Sequence, residues 1–195
     1  MILGLSLVIF FLGSFGHSLL PPFKGHQYVG RCDQAFDAGN ETEPEQFEQR
    51  FYWDKDWRTC MGFKYSGSGG TENNFVSIHD CHRHCRHPGG SVCAGPFLQI
   101  DNLLCYKIPC PKGFSCYSEP HGITRCCKDE YNKASLEAYV TRCPNKRRVL
   151  GYPNHDSRNS YEILLGKTCD ELICGEKNTC VQVNKYFAKC CEGTW

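Results

Sequence analysis

The hydrophobic pattern is densest between residues 50 and 85, where two short aromatic segments flank a polar break. Residues 51–53 are Phe-Tyr-Trp and residues 63–65 are Phe-Lys-Tyr, and the polar residues Asp54, Lys55 and Asp56 follow the first segment. Aromatic runs bounded by turn-forming polar residues are typical of strands. The pattern therefore predicts two strands joined by a turn, which is a hairpin.

A glycine-rich bend and a short helix are predicted after the hairpin. Gly67, Gly69 and Gly70 form the bend, and the hydroxyl group of Ser77 can cap the first turn of a helix that follows. This helix contains Cys81 and Cys85. Because these cysteines are four residues apart, they lie on one helix face.

The chain begins with an apolar segment that is typical of a secretion signal. Residues 1–16 are apolar, with the small residues Ser14 and Gly16 at a position where a signal peptidase can cut before His17. A membrane anchor is the competing interpretation, but a spanning helix needs about 20 apolar residues. The sequence predicts a signal peptide over 1–16, an extended leader over 17–30, and a secreted protein without a membrane span.

The 16 cysteines all follow this segment, and their number is typical of a secreted protein held together by disulfides. A zinc protein is the competing use, but matched C-x2-C pairs are absent. The formal net charge is +1, which gives no strong electrostatic reason to expect nucleic acid as a partner. We expect several small modules, each too small to depend on its hydrophobic core alone.

The second half of the chain repeats one cysteine pattern. Five cysteines with the spacing C-x4-C-x5-C-x9-C-C occur twice, and each copy has one further leading cysteine. The repeats are predicted over 93–128 and 143–192, with linkers at 88–92 and 129–142. Six cysteines allow many pairings, so those within the repeats stay open: Cys93, Cys105, Cys110, Cys116, Cys126 and Cys127 in the first, and Cys143, Cys169, Cys174, Cys180, Cys190 and Cys191 in the second.

Residues 31–87 closely resemble the Kunitz (pancreatic trypsin inhibitor) family. The residues in register with the family pattern are Arg50, Phe51, Tyr52, Trp53, Asp54, Cys60, Phe63, Tyr65, Gly67, Asn73, Asn74, Phe75, Cys81 and Cys85, preceded by Cys32, Asp37 and Gly39. The resemblance implies a small disulfide-rich α+β domain, made of a two-stranded hairpin and a C-terminal helix, with disulfides Cys32–Cys85 and Cys60–Cys81. It also implies that Asn74 is a buried polar anchor, and that the protein inhibits serine endopeptidases.

The two repeats resemble the lustrin-type cysteine-rich repeat, which often accompanies Kunitz domains in nematode secreted proteins. Cys110-Pro111 and the vicinal pair Cys126-Cys127 match its usual form. The second copy departs from it, because Gly175 replaces the proline and its first two cysteines are farther apart. We expect two loop-rich modules, each stapled by its own cysteines.

The loop that contacts the protease in this family has lost its disulfide here. Ser68 stands in place of one cysteine, and the other falls at Glu41 or at Pro44, depending on the direction of counting. The resemblance therefore implies protease contact by Gly67, Ser68 and the loop Glu41, Thr42, Glu43, Pro44, Glu45 and Gln46. The loop is acidic without Lys or Arg, and Asn40 begins a glycosylation sequon. We expect weak or no inhibition of trypsin.

No motif for catalysis accompanies these features. The sequence has no G-x-S-x-G elbow and no H-E-x-x-H, so we predict that the protein is not an enzyme and needs no cofactor. His79 and His82 share a helix face, but no third ligand is fixed beside them, and no metal site is predicted. Two functions remain: inhibition of a serine protease, or a binding or structural role with an extracellular protein or matrix component as partner.

Overall fold

A computed structural model describes residues 30–40, 47–86, 93–96, 100–101, 105–118, 122, 124–144, 146–153 and 161–193. The predicted signal peptide over 1–16, most of the leader, the loop residues 41–46 and the linker over 88–92 lie outside these ranges. Among the described residues, no helix combines the length and the apolar character needed to cross a membrane.

The described chain contains short strands, two α-helices and two 3-10 helices. The α-helices are α1 (Ile78–Cys85) and α2 (Asp129–Tyr139), and the 3-10 helices span Arg31–Asp33 and Cys169–Glu171. The strands are β1 (Glu48–Asp54), β2 (Thr59–Tyr65), β3 (Ile100–Asp101), β4 (Phe114–Ser118), β5 (Thr124–Lys128), β6 (Gly151–Pro153), β7 (Tyr161–Ile163), β8 (Leu165–Gly166), β9 (Asn178–Asn184) and β10 (Phe187–Glu192). They form four antiparallel sheets, in the orders β1-β2, β3-β5-β4, β6-β7 and β8-β10-β9.

The first unit is the predicted hairpin followed by a helix. β1 and β2 pair in a register that places Tyr52 opposite Met61. The Asp54 carboxylate accepts hydrogen bonds from the backbone amides of Asp56 and Trp57, at 3.0 and 2.9 Å, and so closes the turn. Ser77 caps α1 by accepting a hydrogen bond from the amide of Asp80 at 3.1 Å. The predicted disulfide-rich α+β fold class is confirmed.

The polar anchor of this unit is Asn73, and the expectation for Asn74 was wrong. The Asn73 side chain accepts from the amide of Trp53 at 2.8 Å and donates to the carbonyl groups of Trp53 and Gln34. It thereby joins β1 to the segment before it. The Asn74 Oδ1 atom is buried without a hydrogen-bond partner among the described residues. The two asparagines are adjacent in the sequence, and their hydrogen bonds distinguish their roles.

The disulfides of the two repeats follow one connectivity. In each repeat the first cysteine bonds the sixth, the second bonds the fourth, and the third bonds the fifth. The pairs are Cys93–Cys127, Cys105–Cys116 and Cys110–Cys126 in the first repeat, and Cys143–Cys191, Cys169–Cys180 and Cys174–Cys190 in the second. This shared connectivity supports a duplication of one module. The two remaining disulfides are Cys32–Cys85 and Cys60–Cys81.

The hairpin shares its hydrophobic core with the C-terminal part of the chain. Tyr52, Met61 and Phe63 belong to one buried cluster with Ala138 of α2 and Phe187 of β10. The residues predicted as the linker 129–142 thus contain a helix of 11 residues that packs against the rest of the chain. The modules do not each rely on a core of their own.

Polar contacts fix the same interface. Lys167 lies 2.9 Å from the carboxylate of Asp54, whose side chain is only 6% exposed. His82 of α1 lies 3.5 Å from Glu162 of β7, at the outer limit of a hydrogen bond, and this contact lowers the pKa of Glu162. Because both contacts join residues far apart in sequence, they orient the first unit against the second repeat.

Candidate functional site

The candidate protease-contact site lies at one end of the hairpin, where two segments of the first unit meet. The first segment is residues 37–40 and the second segment is residues 66–70. Of the predicted contact residues, the structure describes Gly67 and Ser68, whereas residues 41–46 lie outside the described ranges. Asn40 is the last described residue before the loop, and β1 begins at Glu48 after it. The described residues that directly flank the loop are Asn40 and Phe47.

Two backbone hydrogen bonds hold the entry of the loop against the second segment. The amide of Ser66 donates to the carbonyl of Ala38 at 3.2 Å, and the amide of Asn40 donates to the carbonyl of Ser68 at 3.0 Å. Ser68 occupies the position where the family that this unit resembles carries a cysteine. Backbone hydrogen bonds thus join the two segments at the place where a disulfide is missing.

Gly39 is required for this close approach. Its φ angle is +90°, a conformation that L-residues with side chains rarely adopt. A Cβ atom there would overlap the carbonyl oxygen of Ser68 and lie 2.6 Å from the Ser66 hydroxyl oxygen. The amide of Gly39 also donates to the Asp37 carboxylate at 2.9 Å, which completes a tight turn.

We therefore expect Gly39→Ala to separate the two segments. The added methyl group meets a backbone oxygen that cannot move without breaking the hydrogen bond from Asn40. We expect a loss of about 1 to 3 kcal/mol in unfolding free energy, and faster proteolysis within residues 37–48. Chemical denaturation and limited proteolysis measure these effects. Gly67→Ala is the matched control, because it has a similar φ angle and no atom lies within 4 Å of its Cβ position.

The second segment presents an exposed edge. Gly67 and Ser68 are exposed, and the hydroxyl group of Tyr65 donates to the carbonyl of Gly69 at 3.0 Å. The Ser66 hydroxyl group donates to the carbonyl of Ser68 at 3.1 Å. These bonds fix the backbone of residues 66–69 while their outer surface stays open to a partner.

An open cleft of about 540 Å³ lies beside this edge. It is lined by Arg31, Arg50, Tyr65, Gly67, Thr71, Glu72 and Asn74. Both arginines have structural partners, which sequence reasoning did not identify. Arg50 lies 2.7 Å from Glu48, and Arg31 donates to the carbonyl of Asn74 at 2.8 Å and stacks on Phe75. Both cations therefore bind groups of the Kunitz-like scaffold.

The groups that resemble metal ligands are engaged elsewhere. The Nε2 atom of His82 faces the backbone amide of Cys60 at 3.3 Å, and its Nδ1 atom faces Glu162. The Sγ atoms of Cys105, Cys110 and Cys126 lie within 4.8 Å of one another, but all three cysteines are bonded in disulfides. A disulfide sulfur cannot act as a thiolate ligand.

Comparison with known proteins places this geometry in a family. The model of the Kunitz/bovine pancreatic trypsin inhibitor domain matches residues 31–86. The major allergen Ani s 1 of Anisakis simplex is 30% identical over 143 residues, which cover 68% of this chain and 70% of that protein. The chain belongs to the Kunitz/BPTI family. This Kunitz chain is also 26% identical over 168 residues to a BPTI/Kunitz inhibitor domain-containing protein of Caenorhabditis elegans, covering 83% and 89% of the two chains.

A solved structure of conkunitzin-S1 is similar to part of this chain. It shares 40% identity over 28% of this chain and 87% of its own, with a TM-score of 0.26. The Kunitz family inhibits serine proteases and is not enzymatic, and its disulfide-rich members are typically secreted. The lustrin-type resemblance of the two repeats stays a prediction.

Proposed function

We propose that this Kunitz chain is secreted and contacts a serine endopeptidase through residues 41–46 and 67–68, but inhibits trypsin weakly or not at all. One observation carries this proposal. Ser68 is joined to Asn40 by a backbone hydrogen bond at the position of the absent loop disulfide. The two segments that flank the loop stay joined by this hydrogen bond, and the disulfide is lost.

The lost brace weakens inhibition because tight binding depends on a loop that is already ordered. A native disulfide in a small secreted domain contributes about 2 to 5 kcal/mol, and one backbone hydrogen bond contributes about 1 kcal/mol. Without the disulfide, more of the cost of ordering the loop falls on the binding step. A loop that opens easily is also cut more easily.

The charge of the segment opposes trypsin specifically. Residues 33–49 contain six carboxylates and neither Lys nor Arg: Asp33, Asp37, Glu41, Glu43, Glu45 and Glu48. The specificity pocket of trypsin ends in a carboxylate and selects a cation. An acidic loop fits a protease whose binding pocket is basic.

A glycan at Asn40 would further restrict access. The Asn40 side-chain nitrogen, which is the attachment atom, lies beside Gly69 at the end of the exposed edge. A glycan there would occupy the side from which a protease approaches residues 67–68. The glycosylation itself is a proposal that mass measurement of the secreted protein can test.

The test is an inhibition titration of the disulfide-intact full chain. It uses trypsin-like, chymotrypsin-like, elastase-like and Glu-specific serine proteases, with the Asn40 glycan present and removed. We expect no stoichiometric inhibition of trypsin, and measurable inhibition by the deglycosylated chain of a protease that accepts acidic residues. Stoichiometric inhibition of trypsin with a single slow cut within residues 41–47 would overturn this account of the loop.

Restoring the loop disulfide distinguishes the two expected causes of weak trypsin inhibition, which are the missing disulfide and the acidic charge of the loop. The variants Ser68→Cys with Glu41→Cys, and Ser68→Cys with Pro44→Cys, test both possible registers. We expect one of them to form the new disulfide and to strengthen inhibition of the protease that accepts acidic residues, because the loop is then ordered before binding. Trypsin should stay uninhibited, since the charge is unchanged apart from one carboxylate. If the disulfide forms and no protease responds, the loop has no inhibitory role.

A second candidate is a binding or structural role in an extracellular matrix without protease inhibition. The observation that favours it is the shared core, which joins the Kunitz hairpin, α2 and the second repeat through buried residues such as Tyr52, Ala138 and Phe187. A rigid body with eight disulfides suits a durable spacer. Failure of every protease titration, together with an uncut chain, favours this role.

A further inference from the structure

A cluster of four cations lies at the start of the second repeat, away from the candidate protease-contact site. Arg142, Lys146, Arg147 and Arg148 fall within seven residues, and all four side chains are exposed. We call this cluster the basic turn. The whole chain has a formal net charge of only +1, so its net charge gives no sign of this local cluster.

The backbone of the basic turn is held rigidly. The amide of Lys146 donates to the carbonyl of Cys143 at 2.8 Å, and the amide of Cys143 donates to the carbonyl of Arg147 at 2.9 Å. Cys143 is bonded to Cys191 of β10. Val149, which follows the turn, is buried and pairs with Cys191 in an antiparallel β-bridge. The backbone from which the cations project is therefore tied to the fold.

Two of the guanidinium groups are held on one face. Arg142 and Arg148 are direct partners in an antiparallel bridge, so their side chains project from the same side. The guanidinium group of Arg142 donates a hydrogen bond to the backbone carbonyl of Lys146 at 3.4 Å. Like charges directly opposite each other on a pair of strands are destabilising. An anion placed between them would remove this repulsion.

Little negative charge offsets the cluster among the described residues. Glu192 lies 3.9 Å from Arg148, at the limit of an ion pair, and is itself half exposed. The guanidinium group of Arg147 donates to the backbone carbonyl of Glu192 at 3.3 Å. Arg148 also lies over the ring of Tyr161, 5.7 Å from its centroid, and stays 69% exposed. Among the described residues, Arg142, Lys146 and Arg148 therefore face a single carboxylate, that of Glu192.

We propose that the basic turn binds a sulfated polysaccharide, with Arg142 and Arg148 contacting adjacent sulfate groups. Guanidinium groups bind such anions through paired, charge-assisted hydrogen bonds. The chain belongs to a family whose disulfide-rich members are typically secreted, and sulfated polysaccharides are abundant polyanions outside cells. This binding is independent of the protease-contact loop, which lies on the Kunitz unit.

The local geometry favours a polysaccharide over a protease or a membrane. Lys146 has a φ angle of +66°, whereas a residue entering a protease pocket lies in an extended backbone. Of the residues beside the turn, Val149 is buried and cannot insert into a lipid surface. A flexible anionic chain needs only exposed cations. The basic turn provides these.

The test measures heparin binding by the full chain in 0.15 M NaCl, using isothermal titration and elution from a heparin column. We expect Arg142→Gln with Arg148→Gln to weaken binding about tenfold and to elute at lower salt, since two charge-assisted contacts are lost. The control is Lys133→Gln with Lys177→Gln, which removes the same charge from exposed sites elsewhere. We expect it to bind like the unmodified chain.

Two further probes distinguish the source of the negative charge. Unsulfated hyaluronan should bind at least about tenfold more weakly than heparin, because its only anions are dispersed carboxylates. Vesicles containing phosphatidylserine should not compete with heparin. The proposal is overturned if the unmodified chain does not bind heparin, if the control weakens binding as much as the arginine variant, or if vesicles displace heparin. Because the protease titration contains no polysaccharide, either proposal can fail without the other.

Discussion

Replacing Trp57 with alanine is expected to destabilise the entire chain, by about 3 to 5 kcal/mol in unfolding free energy. Trp57 lies at the tip of the Kunitz hairpin and is only 9% exposed. Its ring contacts Tyr131 of α2, Tyr186 and Phe187, with centroid distances of 5.8, 5.0 and 4.5 Å. Guanidinium denaturation of the disulfide-intact protein, followed by near-ultraviolet circular dichroism, measures the loss.

The same experiment tests whether the hairpin and the second repeat unfold together. If they share one core, Trp57→Ala should lower the midpoint of a single transition that both regions report. Trp57→Phe keeps most of the aromatic packing and should cost less than about 2 kcal/mol. Val76→Ala removes an apolar side chain that is 64% exposed and should change stability by less than about 0.5 kcal/mol. Two separate transitions, with only one shifted, would contradict a shared core.

Trp57 also shows where sequence reasoning about the fold stops. The aromatic and polar pattern predicts the hairpin, and the turn residues Asp54 and Asp56 lie where it indicates. Nothing local marks Trp57 as a core residue, because the tip of a hairpin normally faces solvent. Its partners, Tyr131 and Tyr186, lie more than 70 residues away in the sequence. Long-range packing of this kind has no periodic signal.

The helices illustrate the same division between local and distant causes. α1 follows from Ser77, which caps it, and from Cys81 and Cys85 on one face, all of which are visible in the sequence. The sequence predicts only a linker over 129–142, because α2 has little apolar pattern of its own. α2 extends from Asp129 to Tyr139 because its buried face, including Ala138, packs against the shared core.

The sequence predicts only part of the candidate site. The resemblance places Ser68 where a loop cysteine is absent, and it draws attention to residues 41–46. It does not show that the carbonyl groups of Ala38 and Ser68 take over the connection between the segments, because backbone hydrogen bonds carry no residue signature. The φ angle of Gly39 gives that connection its one sequence constraint.

The second large effect is expected at Lys189, a buried cation that no sequence pattern identified. Lys189 lies in β10 with 2% of its surface exposed, and burial lowers the pKa of its ammonium group. The Nζ atom donates to the carbonyl of Val140 at 2.8 Å and lies within 3.5 Å of the carbonyl groups of Glu137, Ala138 and Arg142. The carbonyl groups of Glu137, Ala138 and Val140 lie at the C-terminal end of α2, and that of Arg142 lies just beyond it.

Lys189 places a cation at the C-terminal end of α2. The last turn of α2 contains no basic residue, although a cation there would interact favourably with the exposed carbonyl groups of the helix end. Lys189→Met keeps a long apolar side chain but leaves these buried acceptors without a donor. We expect a loss of about 2 to 4 kcal/mol in unfolding free energy, because unpaired buried acceptors cost more than the hydrogen bonds themselves contribute.

The position of the lost stability identifies the role of Lys189. Hydrogen exchange should accelerate most at the C-terminal turn of α2, near Ala138 and Tyr139, if the ammonium group caps the helix. Lys189→Arg retains a cation and should recover part of the stability, limited by the size of the guanidinium group in a packed site. Lys133→Met, on the exposed side of the same helix, is the matched control and should change stability by less than about 0.5 kcal/mol. Unchanged exchange at the end of α2 in Lys189→Met would show that β10 and α2 are held together by apolar packing alone.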